Sequence, residues 1–353
     1  MERRALLFLA AAASASVLAG CKARSIGLAP APLIIATGTP GSIYHPVGNA
    51  ICRLFNLTEQ PEAGACIAVS SEGSLANLQR IRRSEATLGL AQSDVAYAAF
   101  RGEGPFSAAG PDKELRSLIA LHSESFTIVA RADSGIHDFQ DLRGKRVGLG
   151  KSGAGYAVTR DTVLGFYGWT ISDFDRLLEV GPAEQNRTLC GNIVDAIIFE
   201  AGHPNGLTQE ATSECHARLV RVSGPPIDRL LAARPYFVRS FIPGGIYAGN
   251  PDDVPTFGTR TLLLTSARLP DDLAYALVKA VLGDFADFRR LHPALFVLKP
   301  EDMVPSEAVI PIHPGALRYY REVGLAGQAP EMKPRRHLAA ISRGGARCRI
   351  KGR

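Results

Sequence analysis

The chain has 353 residues, of which 46% are hydrophobic and 21% charged, with a formal net charge of +6; this suits two α/β domains with full cores and excludes a fibrous or wholly disordered chain. The basicity belongs to the C-terminus, because residues 333–353 carry eight Lys or Arg and no acid, whereas 22–332 hold 30 basic and 33 acidic residues. That balance excludes nucleic-acid binding by the folded body, and the tail, 327–353, reads as a disordered basic segment.

In chain order, Arg3-Arg4 precedes the apolar run "ALLFLAAAASASVLAG", which ends at Cys21. A charged start, a short hydrophobic stretch and small residues before the break read as a secretory signal over 1–21. Leu18-Ala19-Gly20-Cys21 resembles the bacterial lipobox, which makes Cys21 a candidate lipidation site, with plain cleavage nearby as the alternative. No later segment supplies the roughly 20 apolar residues of a spanning helix.

Leu33 to Ala36 reads as a buried strand, Thr37 to Ser42 as a polar glycine loop, and Ile43, Val47, Ala50, Ile51 and Leu54 as one helical face. Pro46 is tolerated in the first turn, whose amides have no helical partner, and Ser42 is a candidate N-cap. Next, Leu75, Leu78 and Ile81 line a short helix that Ser74 is placed to cap. Thr87 to Leu90 reads as a buried strand with Gln92-Ser93-Asp94 at its carboxyl end. Polar residues at that position are where open α/β sheets bind ligands, although Asp94 reads first as a helix cap.

The same order returns later. Arg146 to Leu149 is a strand, "GLGKSGAGY" at 148–156 a glycine loop, and a helix runs on through Phe166. A second helix then leads to a buried strand, Asp195 to Phe199, and a polar loop, Glu200 to Asn205. Between the halves "FTIVARAD" reads as an extended crossing, with the return crossing between Ile242 and Leu264; two helices close the ordered part. Two lobes joined by two crossings enclose a cleft that closes by hinge motion.

Six cysteines are present. Apart from Cys21 and Cys348, the local pairs Cys52 with Cys66 and Cys190 with Cys215 are the simplest connectivity, which sequence does not fix. Export favours disulfides, and a four-cysteine zinc site would want C-x-x-C spacing. The loop Gly148-Leu149-Gly150-Lys151-Ser152-Gly153 satisfies G-x-G-x-x-G, but Gly144 to Gly150 leaves five residues where a nucleotide-triphosphate loop has four. Exported chains rarely meet those cofactors, so none is expected. Neither G-x-S-x-G nor H-E-x-x-H occurs, which argues against an exported hydrolase.

The motifs "TGTPGSIYHPVGNAICRLFN", "EGSLANLQRIRRSEATLGLAQSD", "DLRGKRVGLGKSGAG", "VDAIIFEAGHPNG", "IPGGIYAGNPDDVPTFG" and "IHPGALRYYREVGL" run in order over about 33–326. As an ordered set they resemble the TAXI-type solute-binding receptors of TRAP transporters, a subgroup of which has similar cysteine pairs. The resemblance implies a two-lobe α/β fold of the periplasmic-binding-protein type II class with a hinged cleft. Lobe 1 would comprise 22–124 and 245–326, and lobe 2 125–244. It further implies an extracytoplasmic binding protein, not an enzyme, that delivers a small organic anion or amino acid, such as a dicarboxylate or glutamate, to a membrane permease. Two departures bear on the ligand: Gly153-Ala154-Gly155-Tyr156 stands where the family often has Gly-Ser-Gly-Thr, and Tyr44-His45-Pro46 where it often has Tyr-Tyr-Pro.

Free amides at a helix start bind carboxylate as readily as phosphate. The first glycine loop offers Thr37, Gly38, Thr39, Ser42 and Tyr44. The second offers Ser152, Gly153, Ala154, Gly155 and Tyr156 from the other lobe. Ser74, Asn77, Gln92 and Ser93 add neutral donors, and Glu200, His203 and Asn205 read the rest, with Glu200 suited to an ammonium group. Each has a structural alternative: Ser42 and Ser74 serve equally as caps, His203 equally shapes a turn before Pro204, and His313 reads as structural. A tethered sensor presenting ligand to a receptor, or an ATP-driven permease partner, would use the same cleft.

Overall fold

The computed structural model describes residues 31–39, 42–58, 64–149 and 156–326. Within them the strands are β1 (Leu33–Ala36), β2 (Cys66–Val69), β3 (Leu88–Gln92), β4 (Leu115–Ala130) and β5 (Arg146–Leu149), then β6 (Arg176–Glu179), β7 (Ala196–Ala201), β8 (Arg218–Leu219), β9 (Phe237–Ile242) and β10 (Val254–Ser266). They form one mixed sheet in the order β2-β1-β3-β10-β4-β7-β5-β6, with β8 on β4 and β9 on β10.

Each end of the sheet is parallel, β2-β1-β3 on one side and β7-β5-β6 on the other. Between them run β4 and β10, antiparallel to each other. Both change company along their length. In β10, Val254 to Thr259 pairs with β9 and Thr261 to Thr265 with β3; in β4, Ser125 to Ala130 pairs with β7. The segments where the sequence suggests two crossings lie in the two longest strands, and the first of these strands begins eleven residues before "FTIVARAD". Their register shifts between Arg260 and Leu262. Close by, Gly258 is pressed so tightly to the Glu124 carbonyl that an added Cβ would collide with backbone.

The first helices are α1 (Tyr44–Asn56), α2 (Ser74–Arg82), α3 (Ser93–Arg101), α4 (Tyr156–Tyr167) and α5 (Pro182–Cys190). The rest are α6 (Gly206–Glu214), α7 (Pro225–Ala233), α8 (Asp271–Gly283), α9 (Phe285–Arg290) and α10 (Pro314–Glu322). On α1 the apolar spacing buries Val47, Ile51, Leu54 and Phe55 in a core shared with α8 and α10, around Leu277, Val281 and Tyr320. A second core, around Val95, Phe126, Leu164 and Phe257, draws on both halves of the sheet. Three helices, not two, fill the C-terminal part, because the long apolar run breaks at Asp284.

Both cysteine pairs are disulfides, Cys52–Cys66 and Cys190–Cys215, with Cα separations of 4.9 and 5.2 Å. One ties α1 to β2, and the other ties the end of α5 to the residue that closes α6. Cys21, Cys348 and the basic tail lie outside the described residues. Among the described residues no helix is long and apolar enough to cross a membrane.

Candidate functional site

The carboxyl ends of β3 and β7 and the middles of β4 and β10 converge on one polar cluster. Gln92 is the last residue of β3 and Glu200 the penultimate residue of β7, so both sit on strands, not in the loops that follow. The Gln92 amide Nε2 donates to Glu124 Oε2 at 3.2 Å and also to Glu200 Oε2. One amide group thereby joins the two halves of the sheet.

Glu124 is the centre of this cluster. Thr261 Oγ1 on β10 donates to its Oε1 at 2.6 Å, and the buried Tyr44 hydroxyl lies nearby. Burial raises the Glu124 carboxyl above its usual range, against the opposing pull of Thr261, Tyr44 and Gln92. For Glu200 the rise is larger; burial is the main cause, followed by the charges of Asp94 and Glu124. Part of the Glu200 side chain reaches the surface, yet its Oε1 is shielded and has no hydrogen-bond partner.

Asp94 adds a third carboxylate. Its Oδ1 accepts from the Val95 amide at 2.8 Å, and its Oδ2 accepts from Thr159 Oγ1 on α4 at 2.6 Å. Burial lifts this group to about 7 despite both bonds. Beside Glu124, His122 is buried and pushed down to about 3, chiefly by burial. The Thr261 hydroxyl gives its proton to Glu124, so His122 Nε2–H donates to Thr261 at 3.3 Å and leaves Nδ1 an unpartnered acceptor.

The expected site residues divide. Ser74 joins the cluster: its hydroxyl lies 3.4 Å from Tyr44 and accepts from the Gln92 amide at 3.1 Å. It does not cap α2, where Gly73 holds the cap position at φ +108°, a conformation suited to glycine. Ser93 at the start of α3 donates to the Tyr236 carbonyl just before β9 at 2.8 Å and accepts from the Arg260 backbone amide on β10 at 3.0 Å.

Asn77 and Thr37 are fully buried and inward-facing. The Asn77 amide donates to the Thr37 and Leu90 carbonyls at 2.5 and 2.7 Å, and the Thr37 hydroxyl donates to the Val69 carbonyl at 2.7 Å. Gly38 packs against Ser42, whose hydroxyl accepts from the Tyr44 amide at 3.2 Å, one position earlier than a standard cap. Thr39 is exposed, and its carbonyl accepts from the Ser42 amide.

His203 and Asn205 form a separate network. Tyr247 OH lies 2.7 Å from His203 Nδ1 and accepts from the Asn205 amide, while His203 Nε2 lies 2.9 Å from Thr127 Oγ1, which donates to the Ser125 carbonyl. This chain makes His203 a neutral Nε2–H imidazole with both nitrogens engaged, and burial lowers it to about 4. Asn205 caps α6 through Thr208. Ser152, Gly153, Ala154 and Gly155 lie outside the described residues, and Tyr156 opens α4.

Sequence reasoning missed Glu124, His122, Thr261 and Thr159. A signal existed for the first two, because "HSES" is a polar break between the apolar runs "LIAL" and "FTIVA" of one sixteen-residue strand. Thr159 and Thr261 carried none.

A mixed sheet split between two parallel ends, with polar groups gathered where β3 and β7 finish, defines an α/β protein whose strand ends are the place where such sheets bind ligands. The family model described as the NMT1-like family matches residues 35–324, and the chain belongs to that family. In overall structure it is similar to a TctC solute-binding protein from Polaromonas, at 16% identity and TM-score 0.49 over 84% of this chain and 97% of that one. It is also similar to the periplasmic aliphatic sulphonate binding protein SsuA from Escherichia coli, at 14% identity and TM-score 0.47 over 92% of this chain and 97% of that one.

Proposed function

We propose that this chain is the extracytoplasmic receptor of a TRAP-type transporter of the TAXI kind. It captures a small organic anion or amino acid and hands it to a membrane permease without making or breaking a bond. Lobe 1 (22–124 and 245–326) and lobe 2 (125–244) close over the solute, and β4 and β10 act as the hinge where Glu124 and Gly258 meet. Cys21 is the lipid attachment point that holds the protein at the membrane.

The observation that carries this reading is the convergence of Gln92, Asp94 and Ser93 from one half with Glu200, Thr159 and the Tyr236 carbonyl from the other. Hydrogen bonds between groups so far apart in sequence form only when the halves are together, as a cleft-closing receptor requires. The ordered motifs and the NMT1-like family match support the same assignment.

Calorimetric titration of the mature protein with dicarboxylates and amino acids tests it. One-to-one binding by at least one of them is expected, and replacing Ser152 to Gly155 with bulkier residues should weaken it. Unchanged affinity in that variant would remove the loop from the site, and catalytic turnover of the bound compound would remove the receptor assignment.

A further inference from the structure

Around Gln92 the described residues place three carboxylates with no cation to balance them. Glu124 is contacted by Tyr44 from α1, Gln92 from β3 and Thr261 from β10. Glu200 on β7 faces Gln92, Thr159 and the charges of Asp94 and Glu124. The basic groups nearby are turned to other work, and His292, beyond His122, accepts from the Ala294 amide. His122 is neutral, and Arg260 donates to the Leu121 and Asp302 carbonyls and lies 3.7 Å from the Asp302 carboxylate. Among the described residues, no Lys or Arg is ion-paired with Asp94, Glu124 or Glu200. Lys151 lies outside them.

Two facing carboxylates bridged by one N–H donor make a receptor for a positively charged nitrogen, which offers several N–H bonds and a full charge where an amide offers two bonds and none. A free acceptor is also ready, because Glu200 Oε1 is shielded and unpartnered. Among the described residues no group of three acidic, His or Cys side chains has the arrangement of a metal site, so hard cations are poorly matched.

We infer that Glu124 and Glu200 select a solute bearing a protonated nitrogen, with the Gln92 amide as its placeholder, and that the solute's charge replaces protons held by the carboxylate cluster. This rests on the receptor reading above and narrows its substrate class: an amino acid or amine fits, and a nitrogen-free dicarboxylate does not. In the unliganded state the cluster stays close-packed by holding protons, since ionised carboxylates at this spacing repel. Arrival of an ammonium group lets the acids ionise and releases protons to solvent. Each proton released breaks one carboxyl O–H bond and passes to solvent, leaving a carboxylate whose negative charge the intact ammonium group offsets; the solute itself is unchanged.

The test is calorimetry of the mature protein at pH 6 and 7 in two buffers of different ionisation enthalpy. The probes are L-glutamate, L-glutamine, L-ornithine and putrescine, set against 2-oxoglutarate and succinate. An ammonium-bearing probe is expected to bind with net proton release, and Glu124→Gln and Glu200→Gln are each expected to weaken it by about tenfold or more and to reduce that release. Circular dichroism and melting curves establish that both variants fold, and either one alone suffices.

Binding of 2-oxoglutarate or succinate in preference to their nitrogen-bearing counterparts would overturn the inference while leaving the receptor assignment intact. So would ammonium-probe binding with no proton release and no loss in either variant. Failure of every probe in both groups would count against the inference and the receptor assignment together.

Discussion

At the residue scale, the strongest tension lies between burial and charge at Asp94, Glu124 and Glu200. Asp94 has a pKa of about 7 in the folded protein against an ordinary value of 3.8, so the folded state binds the extra proton. Below about pH 4 both states are protonated and this group contributes nothing. Between pH 4 and 7 stability falls as pH rises, and above 7 the loss is complete. The unliganded protein should therefore lose melting temperature over that window, and Asp94→Asn should flatten the profile. An equally steep profile in the variant would contradict the assignment.

Asn77 illustrates the opposite case, a polar residue wholly satisfied by structure. Its truncation to Ala would take away the side-chain donor to the buried Leu90 carbonyl, one of two donors to the Thr37 carbonyl and one partner of the Ser71 hydroxyl. A loss of about 2–4 kcal/mol in chemical denaturation is expected. Sequence placed Asn77 among the ligand donors because a polar side chain beside a strand end reads the same whether it faces outward or in. Only the contact with Leu90, thirteen residues away, shows which way it points.

At the element scale, β4 and β10 carry the account. Gly258 lets the two backbones meet at Glu124, and Gly258→Val should cost about 3 kcal/mol and lower the denaturation midpoint; a neutral result would mean the crossing is not close. The disulfides act locally, closing loops of 14 and 25 residues. Replacing both cysteines of either pair with Ser should cost about 3 kcal/mol.

These elements also show how far sequence reasoning reached. The buried strands Leu33–Ala36 and Arg146–Leu149 are where hydrophobic runs and flanking glycines placed them. Glu200 was expected in a loop because a charge usually ends a strand, yet pairing of Phe126 with Glu200 keeps it in the sheet. Glu124 was passed over for the same reason. A charge within an apolar crossing is meaningful only when the facing strand is known, and that partner, Thr259, lies 135 residues later.

At the scale of the whole molecule, one mixed sheet has two parallel ends, and Gln92–Glu200 joins β3 to β7 across it while Asp94–Thr159 joins α3 to α4. A surface hollow of about 540 Å³ near Tyr275, Lys279 and Arg318 shares no residue with this meeting point. The second apolar core also spans both ends of the sheet, so a solute can shift their arrangement only as far as it prefers one state over the other.

Mass spectrometry of the natively purified mature protein tests the central claim most directly, first intact and then after acid release of whatever it holds. The account predicts one small solute per chain, held noncovalently and recovered chemically unchanged after incubation. A solute recovered as a reaction product, or a covalent adduct on the chain, would contradict it.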